Sequence, residues 1–166
     1  MPDPKLTIVC GLPGAGKSVV AKSLSKMREA TLLRSDVLRK NVIATPTYAD
    51  DEKQAVYNEM FERASSALSE GRDVVLDAAF NKRSNRERAA ALAEALNAGF
   101  EIVEVTASEA TIRERLRLRE GDESDADWEV HQLLKGRFEE INEPHVVMTN
   151  DGDLTSLEEQ VRRFLS

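Results

Sequence analysis

The chain has 166 residues, of which 41% are hydrophobic and 32% charged, and its formal net charge is −7. This composition indicates one globular domain over residues 1–166 and excludes a disordered acidic tail, because the apolar fraction can form a core. One cysteine excludes a disulfide framework, no stretch reaches the roughly 18 apolar residues of a membrane span, and the acidic balance argues against a general nucleic-acid-binding surface. We expect a cytoplasmic protein that is a monomer or a small homo-oligomer.

Short apolar runs alternate with helical patterns along the chain. The runs predict strands that are buried on both faces, at residues 6–10, 31–33, 73–76, 102–105 and 145–148. The intervening segments predict amphipathic helices, two of which should end at Gly71 and Gly99. Four of the helices, including the one that ends at Gly99, should begin at caps, namely Ser84, Ser108, Ser124 and Thr155. This alternation predicts a three-layer α/β fold with a parallel sheet, which binds ligands at the carboxyl ends of its strands.

A glycine-rich segment with the spacing G-x-x-x-x-G-K-S follows the first predicted strand. Its residues are Gly11, Leu12, Pro13, Gly14, Ala15, Gly16, Lys17 and Ser18, and Val19 comes next. Glycines let successive backbone N–H groups point at phosphate oxygens, and the positive end of the following helix adds to this attraction. Lys17 can reach the β- and γ-phosphates, and the hydroxyl of Ser18 can bind Mg²⁺. The segment predicts that residues 11–19 bind a nucleoside triphosphate, and we expect ATP with Mg²⁺.

Acidic residues follow the second and third predicted strands, at the same edge of the sheet as this loop. Asp36 and Arg39 are one helical turn apart. The pair suits a phosphotransferase, in which the carboxylate orients and finally deprotonates an acceptor hydroxyl and the cation holds the acceptor, although Asp36 could simply cap a helix. Asp77 stands where a Walker B carboxylate holds Mg²⁺. It could instead pair with Arg39 or with an arginine of a lid, or be an ordinary turn residue.

Four arginines alternate along residues 113–119, and Arg115 and Arg119 share one helical face. One well-placed arginine can raise the rate of phosphoryl transfer by roughly 10³ to 10⁵. The polar stretch that follows suits a hinge, so we expect a lid at about residues 113–128. The alternative is a solvated helix whose arginines pair with nearby glutamates.

Taken together, these elements resemble the P-loop kinases of the polynucleotide kinase and zeta-toxin group, over nearly the whole chain. The resemblance implies a five-stranded sheet in the order 2-3-1-4-5 and transfer of the γ-phosphoryl group of ATP to a hydroxyl group. It also implies that Asp36 is the general base, that Arg39 contacts a phosphate of the acceptor, and that Arg115 and Arg119 contact the nucleotide and the transferring phosphate. The acceptor could be the 5′-hydroxyl end of a nucleic acid or a small alcohol. The alternative function is a regulatory ATPase without an acceptor, whereas a regulatory GTPase is disfavoured because no N-K-x-D sequence occurs.

Three further features receive no catalytic role. The basic cluster at residues 82–88 could hold an anionic acceptor, but the solvated face of a helix is the favoured interpretation. His131 and His145 have no partners at metal-ligand spacing, and Mg²⁺ prefers oxygen ligands. Tyr57 lies near the acceptor side of the predicted cleft without an assigned function.

Overall fold

The structure is a computed structural model, and it describes residues 3–42, 50–120 and 124–166, apart from the side chains of 42, 50, 119, 120, 124–127 and 130. Its sheet consists of β1 (Lys5–Cys10), β2 (Thr31–Arg34), β3 (Val74–Asp77), β4 (Gly99–Thr106) and β5 (Val146–Thr149). All neighbouring strands are parallel and their order is β2-β3-β1-β4-β5. The predicted fold and strand order are confirmed.

Helices cover both faces of the sheet. In the described residues they are α1 (Lys17–Arg28), α2 (Ser35–Val42), α3 (Asp50–Ser69), α4 (Arg83–Ala95), α5 (Glu109–Glu120), α6 (Ser124–Arg137) and α7 (Leu154–Leu165). Successive side chains of a strand point to opposite faces, so Ile8 joins the core under α3 and α4, whereas Val9 joins the core under α1 and α7. Among the described residues, no helix combines the length and apolar character that crossing a bilayer requires.

Two predicted helix boundaries are confirmed by their hydrogen bonds. Gly71 adopts a φ of 81° after α3, and the N–H of Arg72 donates to the carbonyl of Ala67 at 3.0 Å. This pattern satisfies the last carbonyls of a helix. At the start of α5, the hydroxyl of Ser108 accepts the N–H of Thr111 at 3.2 Å, as a cap does.

Three other predicted boundaries are wrong. Ser84 lies inside α4, which begins one residue earlier, and Gly99 belongs to β4 because α4 ends at residue 95. The cap of α7 is Asp153 rather than Thr155, since the carboxylate of Asp153 accepts the N–H of Ser156 at 2.9 Å. A carboxylate is the stronger partner for the positive end of a helix, and this explains the preference. The cap predicted at residue 124 falls among the side chains outside the description.

The loop after β3 is fixed to the segment before β5 by a buried arginine. Only 1% of Arg86 is exposed, and its guanidinium donates to the carbonyls of Phe80 at 2.7 Å and Glu139 at 2.9 Å. The expectation that the cluster at 82–88 is a solvated helix face is therefore wrong for this residue. A buried charge needs such hydrogen bonds, so Arg86 holds together two segments that border the carboxyl edge of the sheet.

A second arginine links α1 to the centre of the sheet. Arg28 donates two hydrogen bonds to Glu101 of β4, at 2.6 and 3.2 Å, and the hydroxyl of Thr7 donates to the same carboxylate at 3.0 Å. Burial alone would raise the pKa of Glu101, but these bonds and the charge of Arg28 outweigh it and leave the pKa below its ordinary value.

Candidate active site

The glycine-rich segment forms the turn between β1 and α1, as predicted. Gly11 and Gly16 have φ values of 154° and 96°. A Cβ at Gly11 would lie 2.6 Å from the carbonyl oxygen of Val105, and one at Gly16 would overlap Nδ2 of Asn150. Only glycine fits at both positions, because β4 and the residue after β5 press against the back of the turn.

The start of α1 lies open to an anion. Gly16 is the cap of this helix and supplies no side-chain hydrogen bond, and Lys17 and Ser18 form its first turn. The first N–H groups of a helix have no partner inside the helix, and they carry the positive end of its dipole. A phosphate group is the natural partner for this end of α1.

Two side chains, those of Arg115 and Asn150, bind backbone carbonyls of the loop and hold it in place. Nη1 of Arg115 donates to the carbonyl of Gly14 at 3.0 Å, and Nη2 donates to the carbonyl of Asn150 at 2.6 Å. The side-chain amide of Asn150 donates to the carbonyl of Ala15 at 3.0 Å. These bonds fix two successive carbonyls of the loop, and therefore fix its shape.

A cleft of about 720 Å³ extends from the loop over the ends of β2 and β3. It is lined by most of the residues that the sequence predicts as functional, namely Leu12, Pro13, Gly14, Gly16, Lys17, Ser18, Asp36, Arg39, Asp77 and Arg115. Gly11 and Ala15 lie on the opposite side of the loop, next to the end of β4, and Val19 lies further along α1. The nucleotide-binding motif and the predicted acceptor pair thus share one cavity.

The floor of the cleft carries opposite charges in a dry environment. Burial lowers the pKa of Lys17, and the charges of Asp77 and Asp36 oppose this change. Burial raises the pKa of Asp77, while Lys17 and Arg34 act in the opposite direction. Charges interact more strongly where water is excluded, so an incoming phosphate would meet a cation that is poorly solvated.

Asp77 has a partner that the sequence did not reveal. Nε of Arg34 donates to Oδ2 of Asp77 at 3.3 Å, and only 8% of the Asp77 side chain is exposed. Of the alternatives open at the sequence level, pairing with an arginine is what the structure shows, but the arginine is neither Arg39 nor one from the lid. The two residues are paired in register across β2 and β3, so the contact follows from strand order rather than from a local motif.

Asp36 and Arg39 lie together at the rim of the cleft. α2 begins at Ser35, so Asp36 is in its first turn, and Arg39 donates to Oδ1 of Asp36 at 3.3 Å. The side chain of Asp36 is 76% exposed, whereas that of Arg39 is 14% exposed. The carboxylate is therefore accessible to a molecule in the cleft, and its orientation is fixed by the more buried arginine.

The two arginines predicted for the lid have different outcomes. Arg115 lines the cleft, but the hydrogen bonds that the structure shows for it go to backbone carbonyls rather than toward the anion site. This arrangement gives it a role in positioning the loop, and direct contact with a phosphate stays a prediction. The side chain of Arg119 lies outside the described part of α5, as do residues 121–123 of the predicted lid.

Tyr57 and Phe80 form a buried contact on the acceptor side that sequence reasoning missed. Phe80 has a φ of 48°, which is unusual for a residue with a side chain, and its N–H donates to the hydroxyl of Tyr57 at 2.9 Å. Burial raises the pKa of Tyr57 to about 12. The hydroxyl of Tyr57 thus stabilises the strained turn that follows Asp77. The one sequence signal for this contact is that Phe80, which is not a glycine, occupies a turn position after a strand.

Comparisons with known proteins agree with this geometry. Residues 6–141 match the family model of the AAA domain. An uncharacterized protein of Mycobacterium tuberculosis is 26% identical over 157 residues, covering 87% of this chain and 32% of the relative, so the chain spans about a third of the length of the curated relatives it matches.

Two solved structures share the fold over almost the entire chain. One is a gluconokinase from Sinorhizobium meliloti, with a TM-score of 0.73, 22% identity, and coverage of 97% of this chain and 91% of that one. The other is the APS kinase CysC of Mycobacterium tuberculosis in complex with AMPPNP and APS, with a TM-score of 0.76, 18% identity, and coverage of 99% and 97%. The chain belongs to the AAA domain family, and its fold is that of the P-loop kinases.

Proposed function

We propose that this chain transfers the γ-phosphoryl group of ATP to a hydroxyl group of an acceptor, with Mg²⁺. The observation that carries the proposal is the shared cleft, in which Lys17 and Ser18 lie on one side and the accessible carboxylate of Asp36 lies on another. A carboxylate that is accessible in the cleft and held by a cation can orient the hydroxyl group of an acceptor, as this reaction requires. The fold shared with a gluconokinase and an APS kinase supports the same reaction class.

The residues of the cleft fit a magnesium ion by the chemistry of their donor atoms. Ser18 offers a hydroxyl and Asp77 a carboxylate, and hard cations prefer such oxygen ligands. No group of three or more His, Cys, Asp or Glu side chains suited to a metal occurs among the described residues, so the phosphates would share the coordination. When bound, the ion would neutralise charge on the β- and γ-oxygens.

The protein groups have separable roles in this proposal. The first N–H groups of α1 and the ammonium of Lys17 bind the β- and γ-phosphates, and the backbone need not reorganise because Arg115 and Asn150 already hold the loop. Asp36 accepts a hydrogen bond from the acceptor hydroxyl and takes its proton late in the transfer. Arg39 keeps that carboxylate in place, so positioning supplies a large part of the rate.

Cations on the acceptor side favour an acceptor that carries an anionic group. Arg34, Arg39 and Lys53 line this part of the cleft, against the two carboxylates of Asp36 and Asp77. Both arginines are paired with these carboxylates, so the three cations exceed the two carboxylates by one positive charge. A nucleic acid with a 5′-hydroxyl end and a small anionic alcohol both satisfy this requirement. Steep loss of activity with added salt would identify the polymer, since counterion release makes its binding salt-sensitive.

The decisive experiment is transfer from labelled ATP to a panel of oligonucleotides, nucleosides, sugars and amino sugars. Asp36→Asn should retain ATP binding and lower transfer by roughly 10² to 10⁴. Asp3→Asn is the matched control and should leave transfer unchanged, because Asp3 is exposed and precedes the amino end of β1, whereas the phosphate loop follows the carboxyl end of that strand. Lys17→Ala should weaken ATP binding and transfer together.

Two outcomes would contradict the proposal. Normal turnover of Asp36→Asn would remove this carboxylate from the reaction. ATP consumption that no acceptor in the panel accelerates, and that Asp36→Asn does not change, would instead indicate a regulatory ATPase.

A further inference from the structure

Arg34 lines the active-site cleft with part of its guanidinium group unused. Its Nε donates to Asp77, but neither Nη atom has a hydrogen-bond partner among the described residues. Both Nη atoms are open to solvent, and 27% of the side chain is exposed. An arginine presents its five N–H donors as a rigid planar fork. With Nε on Asp77, the two Nη groups at the end of the fork remain for a ligand in the cleft.

Lys53 of α3 adds a second cation on the acceptor side of the same cleft. Within the part of the chain that the structure describes, its ammonium group has no hydrogen bond or ion pair, and solvent reaches it. Arg39, by contrast, donates to Asp36, and only 14% of its side chain is exposed. An anion on this side of the cleft would therefore meet accessible donors of Arg34 and Lys53, whereas Arg39 serves the carboxylate of Asp36.

An anionic acceptor needs such donors because carboxylates border the place where it would react. Asp36 and Asp77 both line the cleft, and the phosphates of ATP would add further negative charge. Each of these groups repels a carboxylate or a phosphate, and the repulsion is strong where water is scarce. The end of an arginine fork can bind two oxygens of one such group at once, which is the strongest form of this contact.

Arg34 also lies close to the group that would bind the acceptor hydroxyl. It is the last residue of β2, and Asp36 follows two positions later in the first turn of α2. Two residues span at most about 7 Å of chain. An acceptor with a short spacer between its hydroxyl and its anionic group can therefore contact both side chains.

We infer that Arg34 selects the acceptor by binding its carboxylate or phosphate group through the two Nη groups, with Lys53 as the second cation. The inference rests on the proposed kinase activity, and it assigns to Arg34 the acceptor contact that the resemblance to P-loop kinases implies for Arg39. The acceptor class is then a hydroxy acid or a hydroxyl-bearing phosphate ester. Because Nε stays on Asp77, the fork is held in place before the acceptor arrives.

The test is a calorimetric titration of the protein loaded with magnesium and AMPPNP, which occupies the phosphate loop and does not transfer its phosphoryl group. The probes are three pairs that differ in charge, namely glycerate and glycerol, gluconate and glucitol, and glycerol 3-phosphate and glycerol. We expect at least one anion to bind in the millimolar range or tighter, and its uncharged counterpart to bind at least about tenfold more weakly. Tighter binding of the carboxylates or of the phosphate ester identifies the oxyanion. Absence of saturation by every anion up to about 50 mM, or equal binding within each pair, would overturn the inference.

Three variants locate the contact. Arg34→Lys keeps the positive charge and loses the fork, so it should weaken binding of the anion about tenfold or more and leave the uncharged probe unchanged. Lys53→Met should weaken binding of the anion about two- to fivefold. Arg63→Lys, at a half-exposed position further along α3 and outside the cleft, is the matched control and should bind every probe as the parent protein does. Where Arg34→Lys does not fold, Lys53→Met and Arg63→Lys decide, and equal affinities in these two would refute binding at this site.

Other roles of Arg34 predict different results. If Arg34 only orients Asp77, Arg34→Lys should weaken the charged and uncharged probes by the same factor, and if it contacts the γ-phosphate, the variant should weaken AMPPNP alone; either result would overturn the inference. Transfer from labelled ATP to an uncharged acceptor, with a KM that Arg34→Lys leaves unchanged, would overturn it and leave the kinase activity standing. Selective binding of the anions without transfer to any acceptor would instead contradict the kinase activity and support the anion site.

Discussion

Replacing Arg115 with alanine separates two roles that this side chain can have. In the structure its guanidinium donates to the carbonyls of Gly14 and Asn150, at 3.0 and 2.6 Å, and so holds the phosphate loop. The resemblance to P-loop kinases instead implies that it touches the transferring phosphate. A loop clamp contributes to the stability of the nucleotide-free protein, whereas a contact made only in the transition state does not.

The expected loss follows from the two hydrogen bonds. A hydrogen bond with a charged partner contributes about 1.5–3 kcal/mol, and the freed carbonyls can partly rebind water, so we expect Arg115→Ala to lower the free energy of unfolding by about 2–4 kcal/mol. For a chain of this size that corresponds to a fall in Tm of about 5–15 °C. The affinity for ATP should fall as well, because the loop loses its fixed shape.

The assay combines urea unfolding without nucleotide, ATP titration and turnover at saturating ATP. Arg117→Ala is the control on the same helix, since its side chain is 60% exposed and paired with Glu114, and it should behave like the parent protein in all three measurements. An unchanged free energy of unfolding in Arg115→Ala, together with a 10³-fold or greater loss of saturated turnover, would refute the clamp and favour direct contact with the phosphate.

Two further substitutions test the loop and the sheet. Gly16→Ala should lower the free energy of unfolding by about 3–4 kcal/mol and weaken ATP binding, because a side chain there combines the penalty of a positive φ with a clash that displaces the amide of Asn150. Gly71→Ala is the control, since Gly71 has a similar φ and open space around it, and it should lower the free energy of unfolding by only about 1–2 kcal/mol. Equal losses in unfolding experiments would contradict the clash. Glu101→Gln should cost about 1–2 kcal/mol at pH 7. Arg28 holds the pKa of Glu101 below its ordinary value of 4.5. The stability that the Glu101 carboxylate adds is therefore complete above about pH 4.5 and is lost as the pH falls through the lowered pKa. The free energies of unfolding of the parent protein and of Glu101→Gln should converge in acid.

The architecture was predictable because its signals are local. Strand β1 is an apolar run, α3 ends at a glycine with positive φ, and α5 has its serine cap, each readable within a few residues. The order of the strands came from the resemblance. Predictions failed where two local signals competed, as at the start of α7, where Asp153 and Thr155 are both good caps and the charge of the carboxylate decided.

In the candidate site, too, the features with local sequence signals were predictable and the contacts between distant segments were not. The G-x-x-x-x-G-K-S spacing predicts the turn, the helix start and Lys17, because the shape of the loop is encoded in its own glycines. Arg34 and Asn150 were not predictable, since each acts through the sheet: Arg34 meets Asp77 only because β2 pairs with β3, and Asn150 meets Ala15 across 135 positions of sequence. No motif within one segment contains such contacts.

This division has a physical consequence for nucleotide binding. The attraction of the loop for phosphate comes from the helix start and Lys17, but a flexible loop would lose affinity to the entropy of ordering it. In this chain the ordering is supplied before the nucleotide arrives, by the amide of Asn150 after β5 and the guanidinium of Arg115 in α5. The affinity for ATP should therefore depend on residues that do not contact ATP. A change in the pairing of β5 with β4 should lower this affinity, because it would move Asn150 and thereby the carbonyl of Ala15 in the loop.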